Sequence, residues 1–290
     1  MASLIRDVGR RKLHATYPYH LSDAMRLLPT LLLLVFAIAC QPAAPEQAVP
    51  AFPNGTLIDL THAYDSTTVY WPTAAGFQLN IDARGFTEGG FYYEANSFFS
   101  AEHGGTHLDA PVHFAEGKQA ADEIPLDRLI GEAILVDVSQ AALASPDYLI
   151  SVADFEAWEA EHGTTVDDKI VLLRTGYGQF WPDRVRYMGT DERGPDAVAK
   201  LHFPGLAPEA AQWLVDNRSI KAIGLDTPSI DYGQSTLFES HVILFTDNIP
   251  AFENIANLDQ LPSEGFYVMA LPMKIADGSG GPLRIVALVP

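Results

Sequence analysis

A segment of eleven residues, from His103 to His113, constrains the fold more than any other part of the chain. It contains three of the nine histidines, two adjacent glycines and a proline. Glycine and proline both oppose an α-helix, so Gly104-Gly105 and Pro111 make a helical segment unfavourable. We therefore expect a turn that leads into an extended segment.

The same segment predicts a metal site. Side chains alternate in direction along an extended chain, so the odd-numbered His107, Asp109 and His113 can all face one side. Imidazole together with carboxylate is the ligand mixture that zinc and similar divalent ions prefer. A lone histidine is more often a packed or surface residue, but three histidines with an aspartate at this density favour a metal site.

Short apolar segments alternate with helices over the rest of the chain. Ser151 and Asp154 have the spacing of a helix capping box, and Gly163 is a typical helix stop. This alternation favours a single α/β domain over residues 56–290 with a largely buried sheet. Helices are predicted at 151–161 and 207–216, and strands at 56–61, 133–138, 169–174, 221–226, 242–246, 266–271 and 284–289.

Composition excludes several classes of protein. The chain is 48% hydrophobic and 19% charged, which is typical of a globular protein rather than a disordered one. Its net charge of -19 repels phosphate backbones, so we expect no nucleic acid partner; solubility is the simplest reason for the acidity. The single cysteine, Cys40, excludes an internal disulfide and a thiolate metal cluster.

Residues 1–39 are predicted to be a signal peptide. A basic Arg26 precedes the apolar run 31–39, which is too short to span a bilayer comfortably. Ala37-Ile-Ala-Cys40 resembles a lipoprotein processing box, with Ala37 in place of the usual leucine, so we expect a lipid on Cys40. Ordinary cleavage near Ala39, or a buried free cysteine, is the alternative. The native start is predicted at Met25, because Met25 with the following run forms a compact signal sequence.

The proline- and alanine-rich residues 40–55 are predicted to be a flexible tether. A lipid at Cys40 followed by such a tether would hold the domain outside the cytoplasm. We therefore expect a periplasmic protein that contacts a bacterial membrane only through its lipid anchor.

The histidine-rich segment also resembles a known family. It matches the pattern H-x-G-T-H-x-D-x-P-x-H of the cyclase family of metal-dependent hydrolases, which includes bacterial kynurenine formamidases and isatin hydrolases. The resemblance extends from about Thr56 to the C-terminus and does not cover the leader. Further matching segments are 70–72, 174–176, 224–229 and 270–274.

The resemblance implies roles for individual residues. The first two histidines and the aspartate of the pattern are metal ligands in the family, which points to His103, His107 and Asp109. The last histidine is the proposed general acid/base, here His113. Two further family ligands, a histidine and a glutamate twelve residues later, match His241 and Glu253. Without the resemblance, His241 would be interpreted as a strand-edge residue and Glu253 as a solvated loop residue.

The resemblance gives conflicting indications of the number of ions. Formamidase-like members have glutamate at the position of Glu253 and bind two metals, whereas isatin hydrolases have glutamine and bind one. The aromatic segments around Trp71 and Trp181 are closer to isatin hydrolases. One or two ions per chain are therefore expected, and a nitrogen and oxygen ligand set accepts zinc or manganese.

The resemblance implies an α/β fold with a mixed sheet that forms a small barrel-like or swivelling β core flanked by helices, and a homodimer or homotetramer. It also implies hydrolysis of a small aromatic amide, either cyclic like isatin or an N-formyl arylamine like N-formylkynurenine. Trp71, Trp181 and Ser229 are candidate residues of the substrate pocket. The alternative is an extracytoplasmic lipoprotein that binds a metal or a solute without turnover.

Overall fold

The computed structural model describes residues 54–290. The predicted signal peptide, the start at Met25, the lipid site at Cys40 and nearly all of the tether lie outside these residues. The strands are β1 (Thr56–Asp59), β2 (Gln78–Phe86), β3 (Tyr92–Phe99), β4 (His107–Asp109), β5 (Ile130–Asp137), β6 (Leu149–Ile150), β7 (Ile170–Arg174), β8 (Gly205–Leu206), β9 (Ala222–Leu225), β10 (Ala251–Glu253), β11 (Phe266–Pro272) and β12 (Gly280–Val289). The α-helices are α1 (Leu126–Leu129), α2 (Ser139–Ala144), α3 (Val152–His162), α4 (Arg184–Met188), α5 (Pro195–Val198), α6 (Pro208–Asn217) and α7 (Glu239–Thr246).

Seven strands form a closed ring in the order β12-β11-β5-β7-β9-β10-β4, and β4 pairs back onto β12. β1 pairs with the C-terminal part of β12. Within the ring, the neighbouring strands β5, β7, β9 and β10 pair in parallel, and the other pairs of the ring are antiparallel. This ring with flanking helices confirms the predicted α/β domain with a barrel-like mixed sheet. In the described part of the chain, no helix is both long enough and apolar enough to cross a membrane.

Successive residues of the central strands enter two different cores, because side chains alternate along a strand. Val136 of β5 packs in an outer core with Phe155 of α3 and Leu214 of α6. The neighbouring Leu135 packs in an inner core, inside the ring, with Phe252 of β10. Burial on both faces explains why these parallel strands are continuous apolar runs in the sequence.

Helix α3 begins and ends close to the predicted positions. The backbone N–H of Ser151 donates to Asp154 Oδ2 at 2.7 Å, and Gly163 ends the helix with a left-handed φ of 65°. Helix α6 begins at Pro208, one residue after the predicted start at 207, and proline is common in the first turn of a helix.

The strand predicted at 242–246 is wrong, because these residues belong to helix α7. The sequence Val-Ile-Leu-Phe-Thr has the composition of a buried strand. In the fold, however, Leu244 and Phe245 lie on the side of helix α7 that packs in the outer core, and both are buried there. Tertiary packing therefore overrides the local β preference, which places His241 on a helix instead of at a strand edge.

A β-hairpin that the sequence did not predict, formed by β2 and β3, joins no other strand of the described chain. Leu79 lies opposite Phe98, and Ile81 follows two positions later on the same face. These three side chains are 56%, 52% and 53% exposed, respectively. An isolated two-stranded hairpin is only marginally stable, and contiguous exposed apolar side chains are typical of an interaction surface.

Two tyrosines fix the turn that leads into β4. Gly105 has a left-handed φ of 60°, and the hydroxyl of Tyr64 donates to the carbonyl oxygens of Gly104 and Thr106. The fully buried ring of Tyr70 lies so close to Gly104 that an added Cβ would be 2.0 Å from Tyr70 Cδ1. Glycine is therefore required at this position by close packing.

We predict that Gly104→Ala lowers the free energy of unfolding by about 1–3 kcal/mol, because Tyr70 cannot move without disturbing the core. Gly76→Ala is the matched control, since no atom lies within 4 Å of its added Cβ. Urea unfolding followed by tryptophan fluorescence measures both variants. Equal stability of the two variants would contradict the steric argument.

Candidate metal centre and cavity

The histidine-rich segment is extended only over its central part. His107 and Asp109 are the first and last residues of β4 and project to the same side, as predicted. His113 is different, because Pro111 begins a 3₁₀ turn in which the His113 N–H donates to the Ala110 carbonyl oxygen at 2.9 Å. The prediction that His113 follows the same extended alternation is therefore wrong, although the turn still brings its ring to the cluster.

Five side chains meet at one place in the fold. Asp109 Oδ1 lies 2.6 Å from His103 Nδ1 and 3.0 Å from His107 Nε2. Asp109 Oδ2 lies 3.2 Å from His241 Nε2. Glu253 approaches His241 Nε2 at 3.2 Å and His107 Nε2 at 3.5 Å. The five residues form two overlapping groups that could each hold a metal ion, and Asp109 belongs to both groups.

Two different elements bring the distant members to the cluster. Glu253 is the last residue of β10, and the antiparallel register places it directly opposite His107. His241 lies in the first turn of α7. Both side chains are buried, so the alternative of a solvated loop for Glu253 is wrong. Their separation from β4 by more than a hundred residues explains why spacing alone could not identify them.

The cluster has the chemistry of a divalent metal site. Asp109 and Glu253 are 2% and 3% exposed, and no lysine or arginine among residues 54–290 forms an ion pair with either of them. Buried carboxylates are costly without a compensating positive charge. His107 Nε2 is buried among them, and its 3.0 Å contact with Asp109 Oδ1 lacks the geometry of a hydrogen bond. These donors therefore fit a divalent cation.

The pKa shifts of His107 and Glu253 reflect the same excess of negative charge in the cluster. Burial lowers the pKa of His107, but the charges of Asp109 and Glu253 outweigh burial and raise it to about 9. The pKa of Glu253 is raised by burial and by the charge of Asp109. A divalent cation would compete with these protons for the same nitrogen and oxygen atoms.

His113 lies beside the cluster and contributes no atom to the two groups of candidate ligands. Its ring stacks on that of His103, with 3.7 Å between the centroids and an angle of 14°. Burial lowers the pKa of His113 to about 4, so its imidazole is neutral at pH 7. No hydrogen bond from residues 54–290 occupies its ring nitrogens, and its ring lines the cavity described below.

A cavity of about 290 Å³ opens onto the cluster. This volume is close to the lower end, roughly 300 Å³, of the usual range for small-molecule sites. Trp71 and Ser229, two of the candidate pocket residues, line the cavity. Phe114 and Phe238 also line it, with their rings 5.2 Å apart, and the sequence did not single them out.

Trp181 does not line this cavity, so its prediction as a pocket residue is corrected. Its ring stacks on His62 at 4.1 Å and packs edge-on against the buried Tyr187. These contacts hold Trp181 in an apolar cluster around Tyr187 and Met188, against which the cavity residue Trp71 also packs. Trp181 is therefore a packing residue, although it lies near a family-like segment in the sequence.

The chain is similar in sequence to known proteins. A family model described as "Putative cyclase" matches residues 58–232, which include the histidine-rich segment but not His241 or Glu253. An isatin hydrolase from Roseibium aggregatum is 34% identical over 209 residues, covering 69% of this chain and 77% of that protein. A kynurenine formamidase from Salinibacter ruber is 29% identical over 231 residues, covering 79% of this chain and 96% of that protein.

Solved structures share the fold. An isatin hydrolase bound to the product analogue thioisatinate superposes with a TM-score of 0.73 at 28% identity, covering 92% of this chain and 99% of that one. Isatin hydrolase A from Ralstonia solanacearum gives a TM-score of 0.73 at 27% identity, covering 96% of this chain and all of that one, 100%. On the family match, the sequence relatives and the shared fold, this chain belongs to the cyclase family of metal-dependent hydrolases.

Proposed function

We propose that this protein hydrolyses the amide bond of a small aromatic compound in a metal-dependent reaction, and so acts on a carbon–nitrogen bond other than a peptide bond. The substrate is either a cyclic amide like isatin or an N-formyl arylamine like N-formylkynurenine. The single observation that carries the proposal is a cavity with aromatic walls that ends at a buried cluster of histidines and carboxylates. The alternative of a binding protein without turnover has no support, because the named relatives are enzymes.

His103, His107, Asp109, His241 and Glu253 would hold the ion. Their two groups share Asp109, which offers places for one or two zinc or manganese ions per chain. A bound divalent ion supplies Lewis acidity, which polarises a carbonyl and lowers the pKa of water. The protein contributes the fixed donor positions and a partly enclosed, mainly aromatic space next to them.

His113 is the residue best placed for proton transfer. Its neutral ring lies at the edge of the cavity and stacks on a candidate ligand without joining the ligand groups. It can accept a proton from the attacking water and return it to the leaving nitrogen. Trp71, Phe114 and Phe238 would hold the aromatic ring of the substrate above the cluster.

We also propose that the protein forms a homo-oligomer, either a dimer or a tetramer. The apolar face of the β2–β3 hairpin, formed by Leu79, Ile81 and Phe98, supports this proposal because these side chains are more than half exposed within residues 54–290, even though Phe98 stacks on Phe77. A second copy of the chain would cover this face and stabilise a hairpin that is marginal alone.

The proposed location is the bacterial periplasm, with a lipid anchor at Cys40. The support is the sequence alone: Arg26, the apolar run 31–39 and the small residues before the cysteine. Metabolic labelling with a radioactive fatty acid, compared with Cys40→Ser, tests the anchor.

Purified protein beginning at residue 41 should contain bound zinc or manganese and should hydrolyse isatin or N-formylkynurenine. Chelation should abolish turnover, and added metal should restore it, because the proposed chemistry needs the ion. Elemental analysis gives the number of ions per chain, and the loss of substrate absorbance gives the rate. Bound metal without turnover of either substrate would contradict the proposed substrate class.

His113→Ala should slow turnover by about 100- to 10,000-fold, the usual contribution of general acid/base catalysis. Bound metal should be unchanged, because His113 is not among the candidate ligands. His202→Ala is the control, since His202 forms an exposed pair with Asp147 away from the cavity. Unchanged turnover, or loss of metal, would remove His113 from the proposed role.

The double substitution Ile81→Asp and Phe98→Asp should convert the oligomer to a smaller species, because charges on the hairpin face would oppose its burial. Leu126→Asp is the control, as Leu126 is 64% exposed on α1 outside the hairpin. Light scattering coupled to size-exclusion chromatography measures the mass. An unchanged mass in the double variant would exclude this face from the interface.

A further inference from the structure

The three histidines of the cluster have different hydrogen-bond partners on the ring nitrogen that faces away from it. His107 Nδ1 lies 2.9 Å from the Gly105 carbonyl oxygen. His103 Nε2 lies 2.8 Å from the hydroxyl of Ser279. His241 Nδ1 lies 2.5 Å from Asp231 Oδ2. Glu102 Oε2 lies 4.0 Å from His103 Nε2, so among the described residues only His241 has a carboxylate within hydrogen-bond distance behind its ring.

Asp231 holds both the ring of His241 and the helix that carries it. The backbone N–H of Ser240 donates to Asp231 Oδ1 at 3.1 Å, and that of His241 donates to Oδ2 at 3.3 Å. These N–H groups lie in the first turn of α7 and have no acceptor inside the helix. The carboxylate therefore caps the positive end of the helix and fixes its rotation relative to the cluster.

The loop that carries Asp231 is itself fixed. The backbone N–H of Ile230 donates to Glu253 Oε1 at 2.8 Å, and the Ile230 carbonyl oxygen accepts from Leu206 N–H at 2.7 Å. An added Cβ at Gly205 would lie 2.3 Å from the backbone nitrogen of Tyr232, so the loop packs directly on β8. One short loop thus contacts both His241 and Glu253.

Asp231 has no other charged partner to explain its burial. It is 1% exposed, and within residues 54–290 His241 is the only basic side chain in ion-pair contact with it. Burying a carboxylate is costly unless it is paired, and Asp231 is paired with the His241 ring and with the N–H groups of Ser240 and His241, which all lie in the first turn of α7.

We propose that Asp231 is a positioning residue for metal binding, acting through His241. Because a carboxylate only accepts hydrogen bonds, Asp231 keeps the ring proton on Nδ1 and leaves Nε2 available to a cation. Nε2 then points between Asp109 and Glu253, 3.2 Å from each. The inference rests on the proposed function of the site and adds a residue that the family pattern of histidines and carboxylates does not include.

The test is cobalt(II) binding to the metal-free protein, followed by visible absorption, which reports coordination geometry. Asp231→Asn should bind cobalt about 10- to 100-fold more weakly than wild type, as for other partners of metal-binding histidines. Its spectrum at saturation should also differ from that of wild type. Asp226→Asn is the matched control: Asp226 is equally buried in the same loop region, but its carboxylate accepts from Thr175 and Gly176 away from the cluster.

Wild-type affinity and spectrum in Asp231→Asn would overturn the inference, as would an equal loss of affinity in Asp226→Asn. If wild type itself bound no cobalt, the proposed metal-dependent function would fail, and the inference with it.

Asp231→Asn can also fail to fold. In that case, nitrogen-15 NMR of histidine-labelled wild type, with zinc bound, locates the ring proton of His241, assigned by comparison with His241→Gln. A proton on Nδ1 supports the inference, and a proton on Nε2 overturns it.

Discussion

The pairing of β4 with strands on both of its edges is the constraint on which the site depends. This three-residue strand closes the ring by pairing with β10 on one side and β12 on the other. Leu108 points into the inner core, while His107 and Asp109 point to the opposite face and face Glu253 and His241. A slip of one residue would bury the polar side chains in the apolar core and remove Leu108 from it. The register that closes the barrel therefore also fixes the distances within the cluster.

The cluster makes the fold sensitive to cations. Asp109 and Glu253 lie together and are buried, and the raised pKa of Glu253 reflects the cost of burying two carboxylates side by side. Protonated histidines can offset these charges, as the raised pKa of His107 indicates, but a divalent cation can do so without protons. Because the cluster exists only in the folded chain, cation binding and folding stability should be coupled. The same buried charge that destabilises the cation-free fold thus gives the site its preference for a metal.

Local sequence signals predicted the parts of the structure that local physics determines. The apolar runs of β5, β7 and β9, the cap at Ser151 and the grouping of His107 with Asp109 all follow from spacing and periodicity. The family resemblance, not spacing, pointed to His241 and Glu253, because strand register and helix packing bring them to β4. Local composition was misleading at 242–246, where tertiary packing selects a helix, and at Trp181, which packs on His62. The β2–β3 hairpin was not predicted, although Leu79 and Ile81 alternate with polar residues, and its apolar side chains are exposed within the described chain.

The start of helix α7 connects the cavity to the metal cluster. Phe238, just before the helix, has a left-handed φ of 50°, which costs a residue with a Cβ about 1 kcal/mol or more. This conformation places its ring against Trp71 and Phe114 in the cavity wall. Three residues later, His241 enters the cluster from the same helical turn. A substrate ring that contacts Phe238 therefore contacts the segment that carries His241. The left-handed backbone of Phe238 thus positions an aromatic ring in the cavity wall at the start of the helix that carries a candidate ligand.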